Sequence, residues 1–157
     1  MGTEEIFNAV RINDRLTTAG QPTEEQLRAA AAEGFTAVIN LVPPGSMNEL
    51  LDEGHLVRSL GMAYVHIPVD WSNPTDADFE AFVAAMDRLA SGKVLVHCAA
   101  NYRVTAFYGL YAQKRLGWTK EQAEALRARV WEGDYPVWEA FIRHTRDEPG
   151  ELAGSKT

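Results

Sequence analysis

The run KVLVHCAANYRVTAF, residues 93–107, constrains the fold more than any other part of the chain. Lys93 to Val96 reads as a buried strand that delivers His97 and Cys98 into a short loop. The helix after the loop, about Val104 to Leu116, is apolar nearly all round (Val104, Phe107, Leu110, Tyr111, Leu116), as a central buried helix is, and Gly117 closes it. A strand feeding a helix through a short loop is part of a βα unit, and such units build parallel sheets covered by helices.

Alternating strand and helix signals recur at βα spacing, which predicts the α/β class: one mostly parallel central sheet of four or five strands flanked by helices. A short apolar N-terminal segment (Ile6, Phe7, Val10, Ile12) precedes a first short strand, Leu16 to Ala19, closed by Gly20 and Pro22. Thr23 with Gln26 spells a capping box and starts a helix through Ala32 that Gly34 stops. Thr36 to Val42 reads as a buried strand, interrupted by Pro43, Pro44 and Gly45. A helix is expected from Met47 to Leu60, then a strand from Ala63 to Val69 and a loop from Asp70 to Pro74. From Thr75 the stripe Phe79, Phe82, Val83, Met86 and Leu89 marks a helix with one face on the core, and Asp76 and Asp78 suit its first turn. Thr119 with Gln122 is a further capping box, and Trp138, Phe141 and Ile142 mark a final short helix behind Pro136. Residues 1–146 are therefore expected to form a single domain, with a loose tail from Asp147 onward.

A chain of 157 residues, 46% of them hydrophobic, is long enough to bury one core. The formal charge of −7 argues against nucleic acid, whose recognition needs a clustered basic surface. No apolar run approaches the roughly 18 residues of a membrane helix, so no membrane partner is expected. His55, His66 and His144 lack metal-ligand spacing, and neither a metal nor another cofactor is expected. One cysteine cannot form an intramolecular disulfide and suits a reducing, cytoplasmic setting. That thiol is either core filler or chemistry. Its position favours chemistry: loop N–H groups and a helix start stabilise an anion, and a thiol held there becomes nucleophilic near neutral pH.

His97-Cys98, a tight loop, and Thr105 on a buried helix together resemble the signature of dual-specificity-type phosphatases in the cysteine-dependent protein tyrosine phosphatase superfamily: His-Cys, five residues, Arg, then Ser or Thr. The run AGQPTEEQLRAAAAEGFTAVINLV, Ala19 to Val42, resembles the opening of small bacterial phosphatase-like domains of that superfamily. With HIPVDW, the resemblance covers most of residues 15–145. It implies that Cys98 attacks phosphorus to give a cysteinyl phosphate, later hydrolysed by water. The amides of Ala99, Ala100, Asn101, Tyr102, Arg103 and Val104 would cradle the phosphate oxygens, and the Thr105 hydroxyl would stabilise the departing thiolate. Asp70, after the strand AYVHIPV, would protonate the leaving alkoxide. His97 would orient backbone groups and tune the thiol. The partner would be a phosphorylated small molecule or a phosphoprotein.

The departure from the family pattern is the arginine. In the ungapped register Ala100 and Asn101 stand for the family's Ala-Gly and Thr105 for its Ser/Thr, but Val104 occupies the Arg position and Arg103 comes one residue early. Asn accepts a left-handed backbone more readily than other non-glycine residues, which supports that register. One residue of helix turns a side chain by about 100°, so Arg103 is expected to start out aimed away from the cradle unless its stem bends back or the loop is re-formed. Three functions stay open: a cysteine-dependent phosphomonoesterase, a phosphatase fold that binds without catalysing, and a rhodanese-like sulfurtransferase whose six-residue loop would be Cys98 to Arg103. Bland readings stand beside the sharp ones: Asp70 as a strand end, Arg103 as a solvated surface residue, and Trp131, Tyr135 and Trp138 as packing of the last helix, with Tyr135 at the pocket rim as the alternative. Tyr102 either stacks on a substrate ring or caps the fold.

Overall fold

Val94, Leu95 and Val96 are consecutive, apolar and fully buried, so the strand that carries them has protein on both faces. The computed structural model describes residues 2–46 and 49–155, and of residues 148–155 the backbone alone. It holds one sheet of five strands: β1 (Val10–Asn13), β2 (Leu16–Ala19), β3 (Ala37–Asn40), β4 (Ala63–His66) and β5 (Val94–His97), in the order β1-β2-β5-β3-β4. β1 pairs antiparallel with β2, and every other pairing is parallel. The fold is thus the α/β class with a mostly parallel sheet.

Six α-helices cover the sheet: α1 (Glu24–Ala32), α2 (Glu53–Ser59), α3 (Asp76–Leu89), α4 (Tyr102–Arg115), α5 (Lys120–Ala128) and α6 (Pro136–Ser155). Successive strand residues point to opposite faces. Ala37, Ile39, Val94 and Val96 accordingly pack into a large core with Phe82 of α3, Phe107 of α4 and Trp138 of α6. Val38 and Leu95 enter a second, smaller core with Leu27 of α1 and Val57 of α2. The C-terminal ends of β2, β3, β4 and β5 share one edge of the sheet, where open α/β folds place their ligands.

Local signals hold closely. Thr23 and Gln26, and Thr119 and Gln122, form reciprocal capping boxes, and Thr75 with Asp78 forms a third. β2 spans the expected residues. Three elements differ. β1 was not foreseen as a strand: Val10 to Asn13 turns at Asp14 and Arg15 into β2, and its edge position leaves a single inward face, too short a pattern to read as a strand. The helix expected over Met47 to Leu60 begins only at Glu53, because Asp52 sits in the left-handed region at φ 60° and cannot continue a right-handed helix backward. Met47 and Asn48 lie outside the described residues. At the other end, the backbone of α6 continues as helix to Ser155, with Trp138, Phe141 and Ile142 as its buried anchors. Among the described residues no helix is long and apolar enough to cross a membrane.

Candidate active site

Past His97 the chain leaves the sheet but stays tied to the end of β2. The Cys98 N–H donates to Ala19 O (3.2 Å) and the Gln21 N–H to Ala99 O (3.0 Å). Asn101 then turns the backbone into α4 at φ 70° and ψ 9°, the left-handed conformation that the sequence expects of a residue standing for glycine. It precedes the helix without capping it through its side chain, so the first-turn N–H groups of α4 lack that partner, as suits an anion site. Instead the Asn101 Nδ2 donates to Asn8 O (2.8 Å) and Thr18 Oγ1 (3.1 Å), while Asn8 Nδ2 donates back to Ala100 O (3.0 Å). Asn8 is itself left-handed, at φ 55°. This reciprocal clamp brings the N-terminal segment against the loop.

The result is a cleft of about 400 Å3 with Cys98 and Ala99 at its floor, Phe7 and Asn8 on one wall, Trp71, Tyr102 and Arg103 on another, and Glu132 at the rim. The Cys98 side chain is fully buried beneath it. A larger groove of about 630 Å3 between α3, α4 and α6 carries no cysteine.

Arg103 takes one of the courses that the sequence left open. Its side chain lines the cleft rather than turning away, with Nη1 donating to Val69 O (2.8 Å) and the guanidinium 5.9 Å from the Trp71 ring centre. Val104 is the residue turned away, at zero exposure in the large core. The physical reason is the helix start at Tyr102: Arg103 and Val104 are neighbours on α4 about 100° apart, and the core claims the apolar one.

Thr105 departs from expectation. Its hydroxyl lies 2.8 Å from Asn101 O and 3.1 Å from Tyr102 O, where it donates, and it accepts from Trp131 Nε1 at 3.0 Å. With its proton committed to backbone carbonyls, it makes no hydrogen bond to the Cys98 sulfur among the described residues. Thr105 anchors Trp131 instead, and Trp131 stacks on Tyr102 at 5.1 Å and 15°.

Asp70 is exposed on the loop between β4 and α3, beside Arg103 but outside the cleft lining. Its Oδ1 accepts from the Ser72 N–H and hydroxyl, both at 2.9 Å. The Ser72 N–H first, then the Ser72 hydroxyl and the Arg103 charge, hold this carboxyl below the usual range against a small opposing effect of desolvation. Trp71 locks the same loop onto the helices through ring contacts with Tyr102, Trp131, Tyr135 and Trp138, and its carbonyl accepts from Trp138 Nε1 at 2.7 Å. Tyr135 belongs to this packing and does not line the cleft.

His97 is fully buried behind the loop. Its Nδ1 lies 3.2 Å from Cys98 O and its Nε2 2.6 Å from Glu53 Oε2. Glu53, Asn8 and Glu132 are the site neighbours that sequence reasoning missed, since nothing local marks them. The left-handed positions at Asn8 and Asp52 are legible only once the backbone is seen.

A central β5, a Cys loop and the uncapped start of a buried α4 define a protein tyrosine phosphatase-like fold, and solved structures agree. Tk-PTP in its active form superposes with a TM-score of 0.74 at 20% identity, covering 89% of this chain and 97% of that one. A candidate phosphatase from Shewanella putrefaciens CN-32 is nearer, with a TM-score of 0.85 and 38% identity over 92% of this chain and 95% of its own. The family model of the beta-lactamase hydrolase-like protein, phosphatase-like domain, matches residues 9–115, and the chain belongs to that family. The beta-lactamase hydrolase-like protein of Agrobacterium fabrum is 38% identical over 111 residues, 66% of this chain and 25% of its own length. The chain thus spans about a quarter of the length of the curated relatives it matches.

Proposed function

We propose that the chain is a cysteine-dependent phosphatase that hydrolyses a phosphomonoester, carried by a small molecule or a protein, through a cysteinyl phosphate on Cys98. The observation that supports this best is that Cys98 and Arg103 share one cleft at the start of α4. The Cys98 thiolate attacks phosphorus, a P–S bond forms, and the P–O bond to the leaving group breaks. Water then attacks phosphorus and the thiolate departs. A guanidinium has five N–H donors, so the bond from Arg103 to Val69 O orients its plane and leaves donors for two phosphate oxygens. The first-turn amides of α4 and the loop amides from Ala99 to Asn101 meet the remaining charge.

Asp70 supplies the proton to the leaving alkoxide. In the free protein its carboxyl is held ionised by Ser72 and Arg103. A phosphate dianion bound at Arg103 offsets that cation and acts to raise the carboxyl, while the two larger effects, the Ser72 hydrogen bonds, must yield to the leaving oxygen for the proton to be delivered. Tyr102 and Trp71 line the path to the loop and suit a flat leaving group.

The reading of a phosphatase fold that binds without catalysing drew on Val104, and the cleft position of Arg103 favours catalysis over it. Sulfur transfer would leave Asp70 without a role. The test is hydrolysis of a generic aryl phosphate: vanadate-sensitive turnover lost in Cys98→Ser supports the proposal. Absence of turnover in the unsubstituted protein, or a Cys98→Ser protein as active as it, refutes the proposal; thiocyanate formed from thiosulfate and cyanide would favour sulfur transfer.

A further inference from the structure

Behind the loop lies a buried charged pair that the chemistry above does not use. The His97 and Glu53 side chains are 0% and 3% exposed and meet at 2.6 Å. A carbonyl oxygen only accepts, so the His97 Nδ1 facing Cys98 O carries a proton. Burial acts on Glu53 most strongly and raises its carboxyl. The hydrogen bond and charge of His97, the Gln21 amide and the His66 charge together outweigh it and hold the group below its usual value.

We infer that Glu53 is a positioning residue for the nucleophile: it fixes the His97 ring from behind the loop, and the His97 Nδ1–H in turn pins the Cys98 carbonyl. A loop held in that position keeps its N–H groups available to an anion, which favours thiolate over thiol. The placement is built from both sides. The left-handed Asp52 starts α2 at Glu53 and turns that residue inward. Gln21 fixes the carboxylate from the end of β2, its Nε2 donating to Glu53 Oε1 at 3.0 Å and its backbone N–H to Ala99 O. From β4, His66 adds positive charge near Glu53, and Tyr64, pushed up to about 12 mainly by burial, stays neutral. Arg103 is the cation on the cleft side, facing Asp70. A buried ion pair is weak as a source of stability, since apolar residues of the same volume often serve as well. Its use here is to hold the loop that carries the sulfur.

The inference shares the nucleophile of the proposed reaction, but its test reads the thiol and the imidazole directly. The chain has one cysteine, so iodoacetamide alkylation reports Cys98 alone. The pH of half-maximal alkylation rate is expected well below the ordinary thiol value of about 8.5. Glu53→Gln is expected to move it up by about one pH unit, a roughly tenfold slower reaction in the acid limb. An unmoved profile overturns the inference. If the variant fails to fold, 15N spectra of the unsubstituted protein decide: a proton on His97 Nδ1 supports it, and an Nδ1 without a proton overturns it. A protein that shows the shifted profile but hydrolyses no phosphate ester contradicts the phosphatase reading alone. One that turns over substrate with no proton on His97 Nδ1 contradicts this inference alone.

Discussion

At Arg103, one residue of helix phase decides between a clamp and a bystander. Its neighbour Val104 is held among buried side chains, and that fixes which of the two reaches the cleft. Arg103→Lys keeps the charge but loses the planar fork, and kcat/KM for an aryl phosphate is expected to fall about 10²- to 10³-fold, the range for losing one transition-state donor. Val104→Arg, which restores the signature position on paper, is instead expected to destabilise the fold by about 3–5 kcal/mol in denaturant titration, because it leaves an unpaired charge in the core. At this scale the sequence was informative wherever a residue type answers to its own backbone. Asn101 was read correctly as a left-handed position. The direction of Arg103 was left open because a signature register says which residue aligns, while packing says which one turns inward. Glu53 went unseen because its partner His97 lies 44 residues away.

Among the elements, those with local punctuation were legible: capping boxes opened α1 and α5 where Thr and Gln stood three apart, and buried apolar runs gave β3 and β5. α2 was not, since its start follows from a strained Asp52 and a carboxylate committed to β5 rather than from hydrophobic period. That commitment has a pH signature. The native Glu53 carboxyl is held below its ordinary value near 4.5, so its stabilising contribution is complete above that value and is lost as pH falls through the lowered native one. Denaturant midpoints measured from pH 6 down to pH 3 are therefore expected to fall more steeply for the unsubstituted protein than for Glu53→Gln. Parallel slopes would mean that the pair contributes nothing at this scale.

Across the whole molecule, a two-faced parallel sheet brings four strand ends to one edge, and the cleft forms there because segments far apart in the chain close over it. Phe7 comes from the N-terminal segment, Trp71 from the loop after β4, Arg103 from α4 and Glu132 from the turn after α5. The α/β class and parallel sheet followed from alternating periods; the walls of the cleft did not, since each is a long-range contact. Trp71 is the keystone of the aromatic cluster, and Trp71→Ala is expected to cost about 3 kcal/mol of stability. It is also expected to lower turnover more for alkyl than for aryl phosphates, because the loop that carries Asp70 loses its anchor. The most direct test of the account is to quench the protein during turnover of an aryl phosphate and weigh the intact chain. One phosphate covalently bound at Cys98, absent from Cys98→Ser, is the expected result; steady turnover with no label on that sulfur would contradict it.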